Sequence, residues 1–391
     1  MNLKKPLTLV ALAASACGIA WGAGPVKIGL VLPMSGPFAA YGKQIEHGVR
    51  LYLAINGDTF GGRKVELILK DDNPGTAGDV SKRLARELVG QDEVDILAGF
   101  GLTPSAFAVA PVATEGKKPM VVMNAATSSI TTKSNYIVRT SMTLPQNTAP
   151  IADWAARNKI KRVFTLVADF GPGQDAEAQF KKTFTAAGGQ IVGEVRVPVR
   201  NFDFAPYLQK IRDTVPAPDA LFLFLPPGGE TISFMKSFTE RGLDQAGIKL
   251  IATGDLPDEE ILDAIGDAAL GLVTSFHYSE AHKSPENQAF TAAYYKAYPK
   301  DRPNFMAVGG YDGMHLIAEV LRKTDGNADA DKFVEAAKGM KWVSPRGPIS
   351  IDPATRDIVQ NIYLRKVEKV AGKLQNIEFD QFSNFKDPGK Q

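Results

Sequence analysis

The sequence predicts an α/β protein made of two doubly wound parallel-sheet lobes joined by a hinge that the chain crosses more than once. From Pro25 onward, short apolar runs alternate with helical patterns almost without interruption. Strands so continuously apolar are buried on both faces, the condition of a parallel sheet with helices on either side. The alternation also yields more β-α steps than one sheet of ordinary width holds. It pauses around Leu144-Pro145-Gln146 before restarting, which points to two similar lobes.

In order, the strand candidates of the leading half are Lys27–Leu32, Val65–Lys70, Asp95–Ala98, Met120–Met123 and Tyr136–Arg139. Between them Gly42–Ile55 presents Ile45, Val49, Tyr52 and Leu53 on one helical face, and Thr76–Val89 presents Val80, Leu84 and Leu88. After the pause, a helix at Ala149–Asn158 opens a second series, with strands at Arg162–Ala168, Gln190–Val197, Asp219–Leu225, Leu250–Thr253 and Leu272–Phe276. Helices Pro285–Tyr298 and Phe305–Lys323 follow, then short strands near Ile349–Asp352, Ile358–Val367 and Leu374–Phe379. The expected division places residues 24–143 with about 272–348 in the first lobe, and 144–271 with about 349–391 in the second.

Residues 1–23 stand apart. Lys4 and Lys5 precede the apolar run Leu7–Ala16, and small residues follow at Ala20, Gly22 and Ala23, the layout of a cleaved secretory signal. The run is too short to anchor the chain permanently in a bilayer. No later stretch is long and apolar enough for a membrane helix, so a soluble, exported protein is expected. The single cysteine, Cys17, lies inside the signal, leaving a fold without disulfides that depends on its core. Removing Lys4 and Lys5 leaves 43 basic residues against 43 acidic ones. That balance argues against nucleic acid or an anionic membrane as partner.

Several chemistries are excluded by near misses. Gly36 to Lys43 looks like a phosphate-binding loop, but it has one residue too many between its glycines, and Gln44 replaces the hydroxyl that would hold magnesium. Gly99-Phe100-Gly101-Leu102-Thr103-Pro104 begins like a dinucleotide fingerprint, yet its third glycine is Pro104. There is no G-x-S-x-G elbow. His47, His277, His282 and His315 show no zinc spacing, so neither a metal nor a cofactor is expected.

What remains is a pair of loops in the stretch Val94–Ile130. The strand ending at Gly99 runs into the polar loop Phe100–Pro104 and a helix, and the strand ending at Met123 runs into Asn124-Ala125-Ala126-Thr127-Ser128-Ser129. In a parallel sheet both loops lie at the carboxyl ends of strands, where open sheets bind ligands. Free backbone N–H groups and hydroxyls with little side-chain bulk suit a carboxylate.

Those two loops resemble a known family when taken with other marks in order. They are Ile28-Gly29-Leu30-Val31-Leu32-Pro33-Met34-Ser35-Gly36, Gly42 with the helix Gln44–Ile55 ending in Asn56-Gly57, and Leu69-Lys70-Asp71-Asp72, then Asp169-Phe170-Gly171, Gly309-Gly310-Tyr311-Asp312 and Arg346-Gly347-Pro348. Together the chain resembles the periplasmic solute-binding proteins of ABC importers, in the leucine/isoleucine/valine-binding branch with its relatives that carry aromatic acids. The resemblance covers essentially the whole mature chain. It implies a type I periplasmic binding protein fold, a small carboxylate ligand in the inter-lobe cleft, a membrane permease as partner, and binding without catalysis. A monomer is expected. A ligand-sensing receptor module is the competing class, since the same two-lobed fold serves receptors.

The resemblance also implies roles for individual residues. Thr103 matches the hydroxyl donor to the ligand carboxylate. Ala125, Ala126 and Thr127 match the loop that adds backbone N–H groups and a second hydroxyl, with Ser128 as the alternative if the alignment slips by one. Without the family, Thr103 reads equally well as a helix cap before Pro104. Phe170 matches the aromatic side chain that closes over the ligand, and Pro227 with Gly228 begins a helix close to the cleft. Amino-acid binders of the family place a carboxylate for the ammonium group where this chain has Asp255 or Leu256. Asp255 pointing inward keeps an α-amino acid open, whereas Leu256 would leave an ammonium buried without a partner. Phe38, Tyr41, Phe170, Tyr278 and Tyr311, with His277 beside them, suit a flat ring, favouring a hydroxybenzoate or phenylpropenoid acid over a branched-chain amino acid.

Overall fold

The computed structural model describes residues 24–73, 78–200 and 202–390; the expected signal over residues 1–23, with Cys17, lies outside them. The leading half runs β1 (Val26–Leu32), α1 (Ala39–Asn56), β2 (Thr59–Phe60), β3 (Arg63–Asp71), α2 (Asp79–Gly90), β4 (Ile96–Gly99), α3 (Thr103–Glu115), β5 (Met120–Val122) and β6 (Ile137–Arg139). These strands form a six-stranded sheet ordered β2-β3-β1-β4-β5-β6, parallel except for the β2–β3 pair. Because successive side chains of a strand point to opposite faces, the apolar runs feed two cores. Ile28, Leu30, Ile96, Ala98 and Val121 pack on one side, and Val31, Leu97, Met120 and Val122 on the other.

The second half runs α4 (Leu144–Arg157), β7 (Arg162–Ala168), α5 (Gly171–Ala186), β8 (Gln190–Val197), α6 (Ala205–Arg212), β9 (Ala220–Phe224), α7 (Gly229–Glu240), β10 (Lys249–Thr253), α8 (Glu259–Ile265) and β11 (Val273–Phe276). It continues with α9 (Pro285–Ala297), α10 (Phe305–Lys323), α11 (Ala330–Ala337), β12 (Lys341–Ser344), β13 (Gly347–Ile351), β14 (Ile358–Val370) and β15 (Lys373–Phe385). The second sheet is ordered β12-β13-β14-β11-β10-β9-β7-β8, with β15 on β14. The chain passes between the sheets at 140–143, 277–284 and 338–340.

Both lobes are built on parallel strands as expected, and the second sheet adds antiparallel pairs among β11 to β15. Two expectations need correction. The late strands β14 and β15 are 13 residues each rather than short, joined at Ala371-Gly372, whose φ values of 48° and 81° make the tight left-handed turn of a hairpin. β11, expected with the first lobe, is hydrogen-bonded between β10 and β14, and β12 and β13 also join the second sheet. The return to the first sheet therefore begins after Phe276, with α10 lying along α1. That helix pair is unusually close: a Cβ at Gly48 would come 1.9 Å from the Ala307 carbonyl oxygen, and one at Gly310 would come 2.1 Å from that of Ile45.

Candidate functional site

Every parallel strand of both sheets ends facing the gap between the lobes, so the loops after β1, β4, β5, β7, β9 and β10 converge there. They line one common cavity. Tyr41, Gly101, Leu102, Thr103 and Asn124-Ala125-Ala126 line it from the first lobe, and Phe170, Pro172, Phe224, Pro226, Pro227 and Asp255 from the second; Met142, Leu144 and Phe305 close it near the crossings. The lobes touch across it, where the Tyr41 hydroxyl donates to the Pro227 carbonyl at 3.0 Å.

The first-lobe wall is built from backbone. Gly99 and Phe100 have φ values of 105° and 67°, so the chain turns sharply out of β4 through a conformation that a buried phenylalanine rarely adopts. The turn is fastened by the Ala125 N–H, which donates to the Phe100 carbonyl at 2.9 Å. That N–H is thus unavailable to a ligand, contrary to expectation. The Ala126 N–H has no partner among the described residues. Helix α3 follows Leu102 with no side-chain cap, and the Thr103 hydroxyl reaches across to Thr127 Oγ1 at 3.1 Å. The helix-cap reading of Thr103 therefore fails. In the second lobe α5 and α7 also start without a side-chain cap, whereas α8, after the loop that carries Asp255, is capped by Asp258. The unpaired Ala126 N–H and the positive end of the α3 dipole favour an anion at the first-lobe wall.

The facing wall is aromatic and acidic. Phe170 stacks on Phe224 with ring centroids 6.1 Å apart. Of the two alternatives after β10, Asp255 lines the cavity while Leu256 packs into the second-lobe core. Asp255 Oδ2 accepts a hydrogen bond from Thr253 Oγ1 at 2.7 Å, and burial pushes its pKa up to about 6. Burial, reinforced by the charges of Asp255, Asp258 and Glu230, pushes the Tyr41 hydroxyl well above its ordinary range, so it remains a neutral donor.

Several expected residues stand elsewhere. Ser128 is turned away: its N–H donates to Asp175 Oδ2 at 2.8 Å and its hydroxyl to Asp387 Oδ2 at 2.5 Å. The Thr127 hydroxyl lies against Gly171, where an added Cβ would come within 2.5 Å of it. Phe38 packs on Tyr41 at a neighbouring opening shared with Leu102 and Phe170. Gly228 directly precedes α7, behind Pro227. Tyr278 and His277 are fully buried, the tyrosine hydroxyl donating to Asn287 Oδ1 and the imidazole beside Asn147. Tyr311 packs between Tyr52 and Phe290. Sequence reasoning missed Asn124, whose Nδ2 donates to the Gly101 carbonyl at 2.7 Å, and whose Oδ1 is buried without a partner among the described residues. Its place beside Ala125 was the available signal. Phe224 and Pro226, at the end of β9, were marked only by lying at a strand's carboxyl end.

Similarity to known proteins agrees with the two-lobed fold. A family model described as periplasmic binding protein matches residues 25–373. The chain is 47% identical over 388 residues to the Leu/Ile/Val-binding protein homolog 6 of Brucella melitensis biotype 1, covering 99% of this chain and 98% of that one. A solute-binding protein of an ABC transporter from Rhodopseudomonas palustris BisB5, solved in complex with 3,4-dihydroxybenzoic acid, is 57% identical with a TM-score of 0.90, covering 94% of this chain and 99% of that one. Another from Rhodopseudomonas palustris HaA2, in complex with p-hydroxybenzoic acid, is 47% identical with a TM-score of 0.91, covering 94% and 100%. The chain belongs to the periplasmic binding protein family, with its type I two-lobed fold.

Proposed function

We propose that this protein is the extracytoplasmic solute-binding component of an ABC importer and that it captures a hydroxybenzoate-type aromatic acid between its lobes. One observation carries the reading: the cavity is polarised. Its first-lobe wall offers the Ala126 N–H, the Thr103 hydroxyl and the open end of α3 to a carboxylate. Its second-lobe wall offers the Phe170–Phe224 pair to a ring and the Asp255 carboxylate to a hydroxyl. The two Rhodopseudomonas palustris relatives, bound to dihydroxy- and hydroxybenzoic acids, support the same ligand class.

Binding proceeds without chemistry. The acid docks on the first lobe, the second lobe rotates over the ring, and closure excludes water, strengthening the hydrogen bonds inside. The closed shape is what a membrane permease recognises, and the chain reaches it as an exported monomer after loss of its signal.

A second reading is a branched-chain amino acid, because Asp255 lines the cavity where an ammonium group would sit. Isothermal titration of the purified protein with 4-hydroxybenzoate, 3,4-dihydroxybenzoate, benzoate and leucine separates the two. Saturable heat with the hydroxybenzoates and none with leucine is expected. Binding of leucine alone would replace the aromatic-acid reading with the amino-acid one.

A further inference from the structure

Behind the loop that follows β5 lies a buried ionic cluster that does not touch the cavity. Arg139, the last residue of β6, is fully buried. Its Nη1 donates to the carbonyls of Ala125 at 3.1 Å and Thr127 at 2.8 Å, its Nη2 donates to that of Ser128 at 3.1 Å, and its Nε donates to Asp357 Oδ1 at 2.6 Å. One guanidinium therefore holds three carbonyls of this loop on the side away from the ligand space.

The peptide bond makes this consequential. It is planar and trans, so the carbonyl of residue 125 and the N–H of residue 126 point in opposite directions from one rigid plane. Anchoring the Ala125 carbonyl on Arg139 aims the Ala126 N–H the other way, and Ala126 lines the cavity. The fork geometry matters as much as the charge, because a lysine has no planar set of donors to serve several carbonyls and a carboxylate at once.

The end of the chain closes this cluster from outside. After β15, Asp387 Oδ2 accepts from the Ser128 hydroxyl. Gly389 fits so tightly that a Cβ there would come 2.8 Å from both Ser128 Oγ and Pro145 Cγ. The Lys390 ammonium pairs with Asp357 and donates to the Thr131 hydroxyl. Asp175 on α5 takes the Ser128 N–H, so the second lobe holds the same loop from the other flank.

We propose that Arg139, braced by the C-terminal strap Asp387–Lys390, is a positioning residue that sets the direction of the Ala126 N–H and thereby the protein's affinity for the carboxylate end of its ligand. This rests on the reading above that a carboxylate occupies the first-lobe wall.

The test compares 4-hydroxybenzoate with its neutral analogue 4-hydroxybenzamide, the amide measured by competition against the acid. The proteins are the wild type, Arg139→Lys, Asp387→Ala and a chain ending after Lys386, which leaves β15 whole. Loss of an aligned charge-assisted hydrogen bond is expected to weaken acid binding about tenfold in Arg139→Lys, and by a smaller factor in the strap variants, with the amide changed much less. If Arg139→Lys does not fold, the two strap variants decide, since both change residues at the chain end. Equal losses for acid and amide, or unchanged acid binding, would overturn the positioning role. Absence of acid binding by the wild type would instead count against the aromatic-acid reading itself.

Discussion

Asp255 gives up its proton only near pH 6, against an ordinary aspartate value of 3.8. Between those values the folded, empty protein holds a proton that the unfolded chain has lost, so the group's contribution to stability falls as pH rises through that window. A hydroxyl donated by the ligand favours the ionised form. Affinity for 4-hydroxybenzoate is therefore expected to strengthen roughly tenfold from about pH 5 to about pH 7.5, as one proton leaves. Titrations at the two pH values check this, and Asp255→Asn should flatten the profile. On the opposite wall, Thr103→Ala should weaken carboxylate binding by about 1–3 kcal/mol, the cost of a buried hydrogen-bond partner to a charged group; unchanged affinity would remove Thr103 from the site. Thr103, Ala126 and Phe170 were legible because small hydroxyl-bearing loops and a strand-end aromatic carry their meaning locally. Ser128, Tyr278 and Tyr311 were not legible. Their directions are set by distant partners, Asp387, Asn287 and Tyr52, and no local pattern announces those.

Among the elements, the site depends on α3, which begins without a side-chain cap just after β4 ends, and on one helix pair that lets the first lobe close-pack. Gly48 and Gly310 bring α1 and α10 into backbone contact, and α10 begins at Phe305 and α1 carries Tyr41, both in the cavity wall. Gly48→Ala should push the helices apart and lower stability by about 1–3 kcal/mol, the range of an overpacked interior, measured by urea denaturation. The central parallel strands β1, β4, β5, β7 and β9 were readable because their apolar runs serve cores on both faces. The β14–β15 ribbon was read as shorter strands because its distal part is exposed and polar, so it lacks the continuous apolar signal. The placement of β11 in the second sheet follows from its pairing with β10 and β14, a long-range choice that a short apolar run does not specify.

For the whole molecule, three chain crossings join the lobes, while the Tyr41–Pro227 hydrogen bond and the tight fit of Gly171 against Thr127 describe how they meet. Ligand should draw the population toward this contact, since it gains partners from both walls only when the lobes meet. Small-angle scattering should accordingly show a smaller radius of gyration with 4-hydroxybenzoate than without it. Tyr41→Phe, which removes the cross-cleft hydrogen bond, should diminish the change. The most direct measurement is a crystal structure of the protein with 4-hydroxybenzoate. The expected result is a carboxylate within about 3 Å of Thr103 Oγ1 and the Ala126 nitrogen, with the ring beside Phe170 and the hydroxyl toward Asp255. A carboxylate pointing at the second lobe, or an acid lodged outside the gap between the lobes, would contradict the proposed mode of binding.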